Sequence, residues 1–141
     1  MRDYHVWLVT DTFGKIADRD VFVTDFFNRL FITYPHLQPL FENADLKKLN
    51  KKVYYALTLI VTNLRNPQMM RDTLHALGER HMNQYGVMRE YFPLFGEMLL
   101  DTLADQLGPY WNDNVRDAWQ LAFDRISSIM LDEDAAGEAS A

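Results

Sequence analysis

Apolar residues return along this chain every three or four positions, and no stretch shows a sustained two-residue alternation. That period belongs to one face of an α-helix, so the pattern predicts helices throughout and no sheet. A first helix is expected over Tyr4–Ala17, burying Trp7, Phe13 and Ile16. Asp18 or Asp20 is placed to cap a second, whose stripe is Val23, Phe27, Leu30, Phe31 and Tyr34. Pro35 ends it, because proline disfavours a helical conformation at Tyr34 and brings no backbone donor. Pro35–Phe41 is then a short, tight, proline-rich segment. A long helix from about Asp45 to Arg65 follows, with Leu46, Leu49, Val53, Ala56, Leu57, Ile60 and Leu64 facing inward.

Asn66-Pro67 opens the next helix, a cap followed by proline in the first turn. Its apolar residues fall at Met70, Leu74 and Leu77, and the next place on that stripe is His81. Arg71, Asp72, His75 and Glu79 take the opposite, solvent-facing side. A basic, metal-competent side chain at the end of a core stripe needs a partner. Gly86 closes this helix or closely follows it. From about Arg89 to Leu107 a further helix buries Phe92, Phe95, Leu99 and Leu103, with Pro93 tolerated in its first turn, and Gly108-Pro109 stops it. Asn112 caps the last helix, which buries Val115, Trp119, Ala122, Ile126 and Ile129 and runs to about Leu131. The small, acidic stretch from Asp132 to Ala141 is expected to be a disordered tail, leaving one domain over 1–131. Six or seven helices on short, uneven connections make an all-α domain and not a regular four-helix bundle.

Composition narrows what such a domain does. A chain of 141 residues buries roughly two-thirds of its unfolded surface, and nine Phe, seven Tyr and three Trp supply a large core. The net charge of −6 argues against nucleic acid and against an anionic membrane surface, since both need a basic footprint. No apolar run approaches the roughly 18 to 20 residues of a spanning helix, and no signal peptide is visible at the start. The absence of cysteine removes disulfides, thiolate metal sites, a thiol nucleophile and any thioether-linked haem. A cytoplasmic location is expected.

Of the four histidines, His5 lies near the terminus, His36 in a short surface turn and His75 on the wet face, so His81 alone stands on a core face. Zinc is disfavoured, because no second ligand lies at the required spacing. Ser127, Ser128 and the tail serine stand outside any nucleophile-elbow motif, which disfavours serine catalysis. Lys47, Lys48, Lys51 and Lys52 crowd the first turns of the long helix and oppose its dipole. A solvated lysine face accounts for them, and an anionic ligand group nearby would account for them better. An inward histidine, aromatics on several helices and cations at one helix mouth together describe a flat, apolar, anionic macrocycle ligated from one side. Haem fits that description.

Here the residues match a family. From Phe26 to Leu131 the chain resembles the bacterial single-domain haemoglobins and the haem domain of flavohaemoglobins. The resemblance rests on Phe26-Phe27-Asn-Arg-Leu-Phe31, on Pro35-x-Leu37-x-x-Leu40-Phe41 and on Leu77-Gly-Glu-Arg-His81. It continues through Gln84-Tyr85-Gly-Val87, Tyr91-Phe-Pro-Leu-Phe-Gly96-Glu-x-Leu-Leu100 and Ala118-Trp119, all in order and near family spacing. It implies a globin fold of six to eight helices around a non-covalent haem b, with His81 as iron ligand. The second ring N–H of His81 would donate to a backbone carbonyl near Leu77. Phe41 would stack on the macrocycle, and Leu77, Val87, Phe92 and Phe95 would line the proximal side. Tyr85 and Val53 join the cofactor-binding set. Arg80 and one or more of Lys48, Lys51 and Lys52 would meet the propionates.

Two departures from the family bear on function. Relatives usually have Tyr at the position of Phe27, and Gln or His at the position of Leu49, so both swaps remove a hydrogen-bond donor from the gas site. Such a bond to O2 contributes roughly 1.5–3 kcal/mol, so fast O2 release, or preference for less polar CO or NO, is expected. A one-residue shift in register would put Lys48 or Asn50 in place of Leu49, and Tyr54 is the expected hidden donor. On the other side, Phe92 and Phe123 replace tyrosines of a polar network around the proximal histidine, which weakens peroxidase-like chemistry. The function expected is reversible binding of a diatomic gas, in O2 transport or storage or in NO handling. As 141 residues leave no room for a flavin-binding reductase, NO dioxygenase activity would need a separate reductase as partner. A haem-based gas sensor and a haem-free globin-fold interaction module are also compatible with these residues.

Overall fold

The structure, a computed structural model, describes residues 1–84 and 89–131, and of 67 and 77–84 the backbone alone. Six α-helices account for most of it: α1 (Asp3–Phe13), α2 (Arg19–Thr33), α3 (Leu46–Thr62), α4 (Pro67–Gln84), α5 (Phe92–Leu107) and α6 (Asp113–Met130). Tight 3-10 turns at Pro35–Phe41, Arg89–Tyr91 and Gly108–Tyr110 link some of them, and there is no strand among the described residues. The expected disordered tail, from Asp132 onward, and the expected stop at Gly86 lie outside the described residues.

Local chemistry sets most of the helix starts. The Asp18 carboxylate accepts the amides of Asp20 and Val21 at 2.9 and 3.0 Å. Asp45 accepts those of Lys47 and Lys48 at 3.0 and 3.4 Å, Asn66 that of Met69 at 3.3 Å, and Asn112 that of Val115 at 3.0 Å. Each cap takes up backbone donors that have no partner within the helix, and is worth about 1 kcal/mol. Asp45 also places negative charge at the dipole end that the lysines next to it oppose. At the other end of α5, Gly108 adopts φ 52°, a region that favours glycine, and its amide donates to Ala104.

Four expectations need correction. The first helix stops at Phe13, where the Gly14 amide turns back to the carbonyls of Thr10 and Thr12, so Ile16 lies in the connection. Its inner face is Val6, Val9, Thr12 and Phe13, which leaves Trp7, one residue out of phase, 56% exposed. Leu46, the first residue of α3, is exposed and not inward. Lastly, α5 begins at Phe92, because the residues from Arg89 form a separate 3-10 turn.

The helices pack as crossed pairs. α2 lies against α5 and α3, α1 against α6 and α3, and α6 also carries α4 and α5. Thr12 joins two of these layers: its buried hydroxyl donates to the Leu8 carbonyl at 2.6 Å and accepts the Trp119 indole N–H at 2.9 Å. Between α2 and α5, the Arg29 guanidinium meets Asp25 at 3.1 Å and Asp105 at 2.9 Å. The Tyr34 hydroxyl donates to Glu97 across the same pair.

The helix that decides the site is α3. Ile60 and Val61 at its far end, and Leu64 just beyond it, are buried, while Leu49, Val53, Ala56 and Leu57 are only half-buried although they stand on the same apolar stripe. α1 and α2 hold α3 at close quarters, and it stands further off α5 and α6. The gap on that side is the functional feature of the fold.

Candidate functional site

Three adjoining cavities fill the gap. One of about 240 Å³ is bounded by Phe26, Phe27, Leu40, Phe41 and Ala44, by Leu49 and Val53 of α3, by Phe92 and Phe95 of α5, and by Phe123, Ile126, Ser127 and Met130 of α6. A second, also about 240 Å³, continues along α3 past Lys52, Ala56 and Leu57 to Val9, Leu64 and Trp119. A third of about 140 Å³ reaches between α2 and α5 to Phe22, Val23 and Leu99. All three are walled by Val53 and Phe123. Lys52 and Ser127 alone bring polar side chains to walls that are otherwise apolar among the described residues. Such a space takes a large apolar molecule fixed by a few polar contacts.

At one end the aromatics of α2 and of the 35–41 turn interlock. The Phe27 ring meets Phe41 edge-on at 5.3 Å, Phe26 edge-on at 5.2 Å and Phe31 stacked at 5.9 Å. Phe27 is therefore nearly buried, with its position set by ring packing, while Phe41 stays half-exposed at the cavity edge. Across the space Phe92 and Phe95 pack at 6.1 Å. Gly96 is the close approach of α5 to α6, since a Cβ there would fall on the Phe123 ring.

Register on α3 follows directly. Leu49 lines the cavity, Lys48 is exposed, and the Asn50 amide is drawn the other way, donating to Thr24 of α2 at 2.9 Å. Tyr54, the expected hidden donor, does not line these cavities. Its ring stacks on Phe13 at 5.2 Å, with the Arg19 guanidinium 5.5 Å from its centroid. Desolvation raises the pKa of Tyr54, and Arg19 partly opposes that shift.

Of the residues singled out in the sequence, Phe27, Phe41, Leu49, Lys52, Val53, Phe92 and Phe95 come together around this one space. The side chains of Leu77, Arg80 and His81, and all of Tyr85 and Val87, lie outside the described residues. For residue 81 the backbone gives a register only. It lies in α4, seven positions after Leu74, and Leu74 and Met70 are both buried. Sequence reasoning placed Phe123 beside the proximal histidine but did not assign to the site Ile126, Ser127 and Met130 of α6, or Leu57 and Leu99. For Leu57, Leu99 and Ile126 the signal was present as apolar helix stripes, which read equally well as plain core, whereas Ser127 and Met130 lie off the stripe expected of α6. Among the described residues no group of three or more His, Cys, Asp or Glu is placed to hold a metal ion, and no helix is long and apolar enough to cross a membrane.

Comparison with known proteins agrees with this architecture. A flavohemoprotein of Rhizobium meliloti is 26% identical over 110 residues, covering 77% of this chain and 27% of that protein. Cytoglobin-2 of Danio rerio is 24% identical over 134 residues, 84% of this chain and 74% of its own length. A Candida albicans flavohemoprotein is 25% identical over 133 residues, 92% of this chain but 33% of that protein. The chain thus spans about a quarter to a third of the flavohemoproteins it matches and about three quarters of the cytoglobin. The sequence profile that describes globins matches residues 24–130, from the middle of α2 to the last residue of α6, and on that match the chain belongs to the globin family.

Proposed function

We propose that this globin holds a non-covalent haem b in the space beside α3 and binds a diatomic gas there reversibly, O2 and also NO or CO. The observation that carries the reading is the set of apolar cavities shared by α3, α5 and α6, with an aromatic cluster at one end and Lys52 on the wall. Those walls suit a flat, largely apolar ring with anionic edge groups, so the residues present fit the cofactor. Haem bound there would supply an iron that binds a diatomic gas.

The chain's own residues divide the work. His81 is the proposed iron ligand. Phe41, Val53, Phe92 and Phe95, with Leu77, Tyr85 and Val87, hold the ring, and Lys52 and Arg80 meet its carboxylates. Phe27 and Leu49 exclude water from the gas side and give no hydrogen bond to what binds there. Tyr54 is turned toward α1 and does not supply one in their place. The gas is therefore held mainly by the iron and released quickly.

The test is optical. Protein loaded with haemin, reduced and cycled between argon and O2 should shift its visible bands back and forth. A reduced, loaded protein whose spectrum ignores O2 and CO alike would overturn the proposal. Sustained conversion of NO to nitrate only when a reductase is added would assign the finer role of a partner-dependent NO dioxygenase.

A further inference from the structure

Charge is spread unevenly along this chain. Residues 46–71 hold six Lys and Arg and no Asp or Glu, whereas the rest of the chain has eight against twenty. Four of the six are Lys47, Lys48, Lys51 and Lys52, in the first two turns of α3. Lys52 reaches the cavity wall, but Lys47, Lys48 and Lys51 line none of the three cavities. With Tyr55 they stand on the helix face turned away from Leu49, Val53 and Ile60, and all four are exposed. None of the three lysines forms an ion pair among the described residues. Asp45, the nearest carboxylate in the sequence, accepts the amides of Lys47 and Lys48. Nothing within α3 favours three cations here, because positive charge in the first turns opposes the helix dipole.

Resting on the haem reading above, we propose that this face docks a small acidic protein that donates one electron to the haem iron. Charge complementarity sets the sign of the partner, and the rest of the chain sets its kind. An extended polyanion, such as nucleic acid or an anionic membrane, meets the acidic remainder of the surface as well and is repelled by it. A protein with a local acidic patch meets the lysines alone. Tyr55, 66% exposed and set among them, offers the amphipathic ring that is enriched at protein interfaces. A partner seated there stands one helix width, about 10 Å, from the cavity that Leu49 and Val53 line on the inner side. The step moves an electron and no atoms: the partner's reduced centre loses one electron, and ferric iron gains it and becomes ferrous. Ferrous iron is the form that binds O2, so docking here restores the gas-binding state after oxidation.

The probe is a reduced plant-type ferredoxin, a small acidic one-electron donor, mixed by stopped flow with the ferric, haemin-loaded chain. The wild-type rate should fall steeply as salt is added. Combining Lys47→Glu, Lys48→Glu and Lys51→Glu should lower the rate at low salt by about tenfold or more and remove most of its salt dependence. Glutamate in the first turns suits the helix dipole, so this variant should fold as well as the wild type. Photoreduced deazaflavin, a small uncharged donor, should reduce both proteins at the same rate, which separates docking from any change at the iron. An unchanged ferredoxin rate in the loaded triple variant would overturn this inference alone, and so would an equal loss of rate with deazaflavin. Lysine-dependent binding to phosphatidylglycerol vesicles, beside an unchanged ferredoxin rate, would overturn it in favour of a membrane. Failure of the wild-type chain to take up haemin would overturn both this inference and the reading beneath it.

Discussion

Phe27 and Leu49 face the same cavity from different helices, and neither can donate a hydrogen bond. A single oxygen atom restores a donor: Phe27→Tyr should slow O2 release about tenfold or more, the weight of one hydrogen bond of roughly 1.5 kcal/mol. Flash photolysis or stopped-flow displacement by CO reads that rate, and an unchanged rate would mean that the hydroxyl does not reach the gas. At this scale much of the site was legible in the sequence. Phe27, Phe41, Leu49, Val53, Phe92 and Phe95 were placed by their position on helical stripes and by the family resemblance, and all of them line the space. Trp7 and Tyr54 were misread for one physical reason. Helical phase near a stripe edge is set by what the neighbouring helix offers, and α1 chose Val6 and Val9 for its core and Phe13 as the ring for Tyr54. Nothing local in the sequence encodes that choice.

Helix starts were clearer than helix ends, because a capping aspartate or asparagine acts within three residues, whereas an end is settled by packing. Asp18, Asn66 and Asn112 cap as their sequence positions suggest, and Asp45 caps the helix expected to begin there, while α1 stops four residues before its apolar pattern does. The stripe of α3 was also legible, but its function was not separable from core packing. An apolar stripe buried against neighbours and one lining a ligand space have the same period. Half-burial of Leu49, Val53, Ala56 and Leu57 beside full burial of Ile60, Val61 and Leu64 is what tells them apart. The wall opposite depends on the close approach of α5 to α6 at Gly96. A methyl group there overlaps the Phe123 ring, so Gly96→Ala should lose about 1–3 kcal/mol by overpacking. It should also weaken haemin uptake by displacing Phe123 into the cavity. Chemical denaturation measures the first effect, and adding Phe123→Leu should recover part of it. Full stability in Gly96→Ala would show that the ring has room to move.

On the scale of the whole molecule, the fold resolves what the individual helices leave open. α1 and α2 hold α3 away from α5 and α6, and the cavities lie in that gap. The acidic chain keeps its lysine run next to that space, where Lys52 reaches the cavity wall. Composition and helical period alone led to an all-α domain with one histidine out of character. The match to globins over residues 24–130 gives that domain its family, and the cavities give the proposed haem its place. The most direct test of the account is an optical titration of the purified chain with haemin, run beside His81→Ala. The wild-type protein should saturate at one haem per chain with a Soret band typical of histidine-ligated haem b, and His81→Ala should lose that band or shift it. The same Soret band and the same stoichiometry in both proteins would contradict the account, since the iron would then take its ligand from elsewhere.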